Sequence, residues 1–206
     1  YVQERAIATQ QTGFWFVAQA RPQLPDPVGG VIWFGTDDAA TSPLTPIYCG
    51  STEVPECLSE NTANILTYSD KAMFWITNRI AQFAYLRYDY IGAEVRKVID
   101  EWENEKLAEV AAKDAEFAAI GNTDEAKAAV TRYSVDTAQT LLAKWSNLDD
   151  YLMVKYIDGN IKKQDSEGNF LTNGHSPAQP AFPDQPGYSE KFLRAIANDN
   201  PVLEAK

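Results

Sequence analysis

Three short apolar segments near the start of the chain alternate with connectors rich in proline and glycine. The segments lie within Gly13–Arg21, Val31–Phe34 and Ile47–Cys49, and aromatic and β-branched residues dominate them. This composition is typical of β-strands, and short connectors favour antiparallel pairing of neighbouring strands. Because both faces of the first two segments are apolar, we expect the sheet to be covered on both sides, in a layered arrangement.

The hydrophobic period changes from strand-like to helical near Ser69. Apolar residues then recur three or four positions apart, and Ser69 or Asp70 is the candidate N-cap. The spacing predicts one long helix, with Gly92 as a candidate kink, that ends at Gly121.

A second long helix is predicted after that break. Asn122 is its candidate cap, and Glu125 three positions later completes a pattern like a capping box. Two long helices joined by a tight break indicate an antiparallel helical hairpin, which Asp158–Gly159 closes or kinks.

The last part of the chain changes composition again. Residues 164–188 are rich in Gly, Pro, Asn, Ser and Gln, which predicts a loop or a partly disordered segment. Ser189 then caps a short final helix. We therefore expect an α+β chain with three parts: an antiparallel sheet over residues 1–68, a helical hairpin over 69–163, and a loop with a short helix over 164–206.

Charge and composition limit the possible partners. The 206 residues carry a formal net charge of −11, with 45% hydrophobic residues. Excess negative charge repels phosphate groups, so we expect neither nucleic acid nor a membrane as partner. No apolar run is long enough to span a bilayer, and Tyr1–Arg5 lacks the pattern of a signal peptide. We expect a soluble protein, either cytoplasmic, periplasmic or secreted.

Two cysteines and one histidine offer little metal or nucleophile chemistry. A disulfide between Cys49 and Cys57 is possible across a short loop, but two reduced thiols are the favoured interpretation. One histidine and two cysteines are too few for a zinc-type cluster. His175 lies in the glycine-rich loop, where a surface position is favoured over a catalytic one.

Polar residues at the ends of the predicted strands are the candidates for a site. Asp37 and Asp38 are adjacent, so on an extended chain they point to opposite faces, and turn carboxylates that cap N–H groups are the favoured interpretation. Arg21 ends an apolar strand and requires an anionic or carbonyl partner. Gln19 lies two residues earlier on the same strand face.

Two roles for Arg21 remain open at this point. With Gln19 beside it, Arg21 is a candidate for binding substrate, because pockets form at strand ends in layered enzymes. The alternative is an internal salt bridge with Asp37 or Asp38. Asn78 and Arg79 lie beside the apolar stripe of the first helix. Either these polar side chains meet the sheet layer, or Arg79 is exposed to solvent.

Several segments together resemble the C-terminal part of bacterial dipeptidases of the N-terminal-nucleophile cysteine peptidase class, relatives of the secernins. The resemblance extends from Arg5 to about Lys97, and its most specific segments are Phe16–Pro22, Gly30–Ala39, Thr45–Gly50, Phe74–Arg79 and Phe83–Tyr88.

This resemblance implies a four-layer αββα fold, in which the strands form part of one of two sheets. It implies hydrolysis of dipeptides by the thiol of an N-terminal cysteine, with the α-amine of that cysteine as general base. It implies no metal and no organic cofactor. The nucleophile is expected upstream of Tyr1, so no catalytic residue is assigned within this chain. The expected partners are the N-terminal part of the same enzyme, a dipeptide substrate and possibly a second copy.

Two other functions remain open. One is a non-catalytic binding or assembly module that uses the sheet and helical hairpin to hold a partner. The other is a self-sufficient hydrolase that uses Asp37 or Asp38.

Overall fold

A computed structural model describes residues 7–199 of the chain. Its contacts divide the chain into two units, Tyr1–Asp150 and Tyr151–Lys206. The first unit opens with a three-stranded antiparallel sheet of order β1-β2-β3, as the sequence predicts. The strands are β1 (Phe14–Ala20), β2 (Gly30–Thr36) and β3 (Thr45–Tyr48).

The register of the sheet sorts its residues into two faces. Val17 of β1 pairs with Trp33 of β2, and Val31 of β2 pairs with Tyr48 of β3. Paired residues point to the same side of a sheet, so these residues share one face. Val31, Trp33 and Tyr48 are buried there, in a core with residues of two helices, Val110, Phe117 and Val130.

The opposite face of the sheet is largely open. Phe14 and Phe16 are 61% and 55% exposed, and the Phe14 ring stacks on Phe34 with ring centroids 5.9 Å apart. The expectation that the first strand is covered on both sides is wrong for this chain. Residues of β1 are exposed on both faces, with Val17 51% exposed on the face with Trp33, and β1 has no pairing partner on its outer edge within residues 7–199.

Three long helices follow the sheet, where the pattern predicts two. They are α1 (Met73–Leu86), α2 (Ala93–Ile120) and α3 (Asp124–Tyr156). The predicted first helix is divided by a π-helical turn, Tyr88–Gly92, so the break falls at the glycine proposed as a kink. Gly92 suits this turn because a Cβ there would meet the Tyr88 ring at 3.1 Å.

The helix caps differ from the predicted ones. The Ser69 hydroxyl accepts a hydrogen bond from the backbone N–H of Lys71, forming a local turn, and α1 begins only at Met73. At α3 the cap is Thr123 instead of Asn122, because the Thr123 hydroxyl accepts from the N–H of Ala126. Asn122 instead donates to Asp26.

The helical hairpin itself is confirmed. The connector between α2 and α3 is only three residues long, and the rings of Phe117 and Tyr133 pack with centroids 6.0 Å apart. Asp158 and Gly159 both have positive φ and close the end of α3, as predicted. None of the helices described is both long and apolar enough to cross a membrane.

The second unit is mostly irregular. Its loop is hydrogen-bonded through three isolated bridges, Ile161–Asp184, Gln164–Phe170 and Thr172–Pro180. The final helix α4 (Glu190–Asp199) begins where predicted, with the Ser189 hydroxyl accepting from the N–H of Phe192. The proposed three-part division of the chain stays a prediction.

The packing of α2 generates a stability prediction. Ile99 of α2 is fully buried, whereas Leu107 of the same helix is about half exposed. We expect Ile99→Ala to lower the free energy of unfolding by about 2–5 kcal/mol, because it leaves a cavity. Urea denaturation measures this, with Leu107→Ala as the control expected to lose less than about 1 kcal/mol. Equal losses from both variants would contradict the assigned core.

Candidate functional site

The densest group of buried polar side chains lies at the end of β2. Asp37 and Asp38 follow the last residue of this strand, and both are buried. Helix α1 lies against them through Asn78 and Tyr85. The Thr36 hydroxyl lies 3.1 Å from the Thr77 hydroxyl and fixes α1 to the end of the strand.

Asp37 has an unusual backbone and an incomplete set of partners. Its φ is +66°, a left-handed conformation that Asp and Asn tolerate better than most residues. Its N–H donates to the carbonyl of Gly13, and the side-chain amide of Asn78 donates to its Oδ1 at 2.9 Å. Its Oδ2 is buried and has no hydrogen-bond partner. One oxygen of a fully buried carboxyl group is therefore unsatisfied.

Asp38 is satisfied on both oxygens. The N–H of Ala40 donates to Oδ1 at 3.0 Å, and the Tyr85 hydroxyl donates to Oδ2 at 2.8 Å. The favoured interpretation, a turn carboxylate that caps an N–H group, is thus confirmed for Asp38. The Asp37 carboxyl group likewise accepts a hydrogen bond from a backbone N–H, that of Asp38, and it also binds the side chain of Asn78.

The electrostatics of the pair raise the pKa of the Asp37 carboxyl group. Burial is the largest cause and the Asp38 charge adds to it, whereas the hydrogen bonds from Asn78 and from the Asp38 N–H oppose the shift. Burial and the hydrogen bond to Asp38 raise the pKa of Tyr85 to about 12, so Tyr85 remains a donor at neutral pH. Among residues 7–199 no Lys or Arg forms an ion pair with either carboxyl group.

Arg21 lies at the other end of the sheet, with partners inside the protein. Its guanidinium group forms an ion pair with Asp114 of α2 and donates to the carbonyl of Val28. It also lies over the Tyr48 ring, 5.5 Å from the centroid, and the Tyr48 hydroxyl donates to Asp114 at 2.8 Å. The required anionic partner is present as an internal salt bridge, but that partner is Asp114 and not Asp37 or Asp38, which the alternative named.

Gln19 is exposed, and its side-chain oxygen accepts a hydrogen bond from the Trp33 indole at 3.1 Å. Gln19 and Trp33 lie beside a surface groove of roughly 340 Å³, together with Val17, Leu44 and Leu107. The substrate-binding role of Arg21 and Gln19 stays a prediction.

Asn78 and Arg79 take different partners. Asn78 faces the sheet layer through Asp37, as one of the two predicted alternatives has it. Arg79 is exposed, as the other alternative has it, and it pairs with Asp149 and donates to the Tyr68 hydroxyl at 2.6 Å.

Cys57 does not have the environment of an activated nucleophile. Both cysteines are free thiols, as favoured from the sequence. Burial raises the pKa of Cys57 to about 11, opposite to the shift that activates a thiol. Cys49 is exposed, and a Cβ on Gly30 would meet its Sγ at 2.9 Å. No cluster of three metal-binding side chains exists in the part of the chain that the structure describes.

Sequence reasoning missed Asp114 and Tyr85. Asp114 is four positions after Val110 and three before Phe117, so it lies on the buried stripe of α2. An acidic residue within an apolar stripe signals a buried partner such as Arg21. Tyr85 is seven positions after Asn78, two turns along the same helix face, and this spacing links it to the carboxyl pair.

The Arg21 contacts generate a prediction about its role. Arg21→Lys keeps the charge but loses the planar fork, leaving buried acceptors without donors. We expect a loss of about 1–3 kcal/mol in the free energy of unfolding. Thermal denaturation measures it, with Arg96→Lys on exposed α2 surface as control. An unchanged melting temperature would instead support a substrate role for Arg21.

The Asp37 environment generates a pH prediction. Its pKa is raised above the ordinary 3.8, so the folded protein holds this proton more tightly than the unfolded chain. Stability contributed by Asp37 is therefore lost as pH rises from about 4 through the raised pKa. Asp37→Asn should unfold at a higher temperature than wild type at pH 7 and show a weaker decline over that range. A variant less stable than wild type at pH 7 would contradict this.

Comparison with known proteins gives one family. Residues 2–101, just under half of the chain, match the model of peptidase family C69. A search of curated proteins found no match. The matched region contains the whole sheet, Asp37, Asp38 and α1, and it supports a peptide-hydrolase function. Residues 2–101 are therefore similar to peptidase family C69, the cysteine peptidase family to which the sequence bears its resemblance.

Proposed function

We propose that this chain is the C-terminal part of a cysteine dipeptidase, and that its nucleophile is an N-terminal cysteine in a segment preceding Tyr1. The thiol of that cysteine attacks the peptide carbonyl, and its own α-amine takes up the thiol proton. The proton then passes to the departing amine, and water hydrolyses the acyl-enzyme. The observation that carries the proposal is the C69 match over residues 2–101.

The cysteines of this chain support an external nucleophile. The Cys57 thiol is buried with a raised pKa, so little of it is ionised at neutral pH. The proposal therefore assigns neither Cys57 nor the exposed Cys49 to the attack. It rests on the environments of these thiols and on the family.

The open face of the sheet supports a partner that completes the fold. Phe14, Phe16 and Ile32 are exposed together on this face. A groove of roughly 270 Å³ continues it, lined by Ile32, Phe34, Ile47, Val54, Pro55 and Leu58. Exposed apolar surface of this kind usually marks an interface. We propose that the second sheet of an αββα fold, from the N-terminal part of the enzyme, covers it.

The same face also favours a second candidate function. A non-catalytic assembly module would use this apolar surface to hold a different protein. The two functions differ in one observable property, because only the dipeptidase turns over a dipeptide when the preceding segment is present.

A turnover assay tests the proposal. The protein that includes the preceding segment should hydrolyse dipeptides such as Ala-Ala, whereas residues 1–206 alone should show no turnover. Cys49→Ser and Cys57→Ala should each leave kcat/KM of the longer protein within about twofold of wild type, because neither is the nucleophile.

Two results would contradict this assignment. One is robust hydrolysis by residues 1–206 alone that is lost on alkylation of Cys49 or Cys57. The other is the absence of dipeptide turnover by the longer protein, which would favour the assembly module.

A further inference from the structure

Asp37 differs from the other buried acidic residues in how its charge is compensated. Asp114 is paired with Arg21, and Asp149 is paired with Arg79. Asp38 has no cation but receives a hydrogen bond on each oxygen. Asp37 is 1% exposed, and among residues 7–199 it has no cation and one of its oxygens has no hydrogen-bond partner. A carboxylate in this condition is destabilising unless it takes up a proton or a cation binds it.

The missing partner has a definable chemistry. The free oxygen requires a hydrogen-bond donor, and two adjacent buried carboxyl groups require a positive charge. A primary ammonium group supplies both. It is also compact, which suits an oxygen with almost no open surface. A divalent cation needs about six oxygen ligands, and residues 7–199 contain no cluster of three acidic, His or Cys side chains.

We propose that Asp37 binds the free α-ammonium group of the substrate through its unpartnered Oδ2. The substrate class is then a peptide with an unblocked N-terminus, and this inference rests on the proposed peptidase function. Asn78 holds the other oxygen and orients the carboxyl group. Asn78 lies in α1, and Asp37 directly follows β2. These positions keep the geometry of the two side chains rigid.

Entry of the ammonium group requires a side chain to move. Of the four side chains of this cluster, Asp37, Asp38, Asn78 and Tyr85, only Tyr85 is exposed, at 41%. Its hydroxyl donates to Asp38, so an outward rotation of Tyr85 would free one oxygen of Asp38. The ammonium group, with three donors, can then bind both carboxyl groups.

A binding experiment that needs no turnover tests this site. Alaninamide has the ammonium group but no dipeptide bond, and N-acetylalaninamide lacks the ammonium group. Each is titrated onto the ¹⁵N-labelled protein that includes the preceding segment, and the side-chain amide of Asn78 is followed by NMR. We expect alaninamide to shift this signal and N-acetylalaninamide to leave it unchanged. Equal shifts from both compounds, or none from either, would overturn the site.

Asp37→Asn removes the charge while keeping the shape. Asn tolerates a positive φ and retains an oxygen for Asn78, so we expect the variant to fold. Its Kd for alaninamide should rise at least tenfold. Asp149→Asn is the matched control, because Asp149 is equally a buried carboxyl group but has Arg79 as its partner. Unchanged affinity in folded Asp37→Asn would overturn the proposal, and the wild-type comparison of the two amides stands even if the variant unfolds.

Turnover separates this inference from the proposed function. In the active enzyme Asp37→Asn should lower kcat/KM for Ala-Ala about 30-fold or more, while Asp149→Asn should keep the preference for a free amine. Alaninamide binding that depends on Asp37, without hydrolysis of any dipeptide, would reject the dipeptidase and retain the ammonium site. Hydrolysis of Ala-Ala unaffected by Asp37→Asn would reject the ammonium site and retain the dipeptidase.

Discussion

The ion pair between buried Arg21 and partly buried Asp114 is the interaction on which the first unit depends. It joins the residue that follows β1 to the C-terminal part of α2, although the two residues are 93 positions apart in sequence. The Tyr48 hydroxyl donates to the same carboxylate from β3. One acidic residue thus connects both edges of the sheet to the helix that covers it. Removing either charge would leave the other buried and uncompensated.

The opposite end of the same sheet carries two carboxyl groups in place of an ion pair. The register places Ala20 beside Gly30 at one end and Phe14 beside Thr36 at the other. At the first end a cation and an anion neutralise each other, and at the second Asp37 and Asp38 lie together with no cation from residues 7–199. The two carboxyl groups at the end of β2 therefore lower the free energy of unfolding of the protein. Such a local loss of stability is common at binding and catalytic sites. We assign the compensating positive charge to the ammonium group of the substrate. We assign the nucleophilic thiol to the segment that precedes Tyr1.

Local patterns predicted the strands and most of the helical region, because alternating and helical periods are properties of neighbouring residues. The strand segments, the hairpin, the closure at Asp158–Gly159 and the cap at Ser189 followed from such signals. The π-helical turn before α2 and the Thr123 cap depend on competing local hydrogen bonds that composition does not rank. The open sheet face was mispredicted, because apolar residues indicate the need for a cover without indicating which chain provides it.

The candidate site was predictable only in part. Asp37, Asp38 and Asn78 were recognised individually, but the contact between Asp37 and Asn78 spans 41 positions and arises from the docking of α1 on the sheet. The partner of Arg21 was misassigned for the same reason. Asp114 is brought to the sheet by the packing of α2, and nothing in the residues around Arg21 encodes that distance.

Locating the substrate-protected thiol tests the central claim most directly. The active protein is treated with iodoacetamide with and without a saturating dipeptide, and alkylated peptides are identified by mass spectrometry as activity falls. The account predicts that one label tracks inactivation, is slowed by the dipeptide, and lies on a cysteine preceding Tyr1. Alkylation of Cys49 should proceed at the same rate with and without dipeptide. A protected label on Cys49 or Cys57 that tracks inactivation would contradict the account.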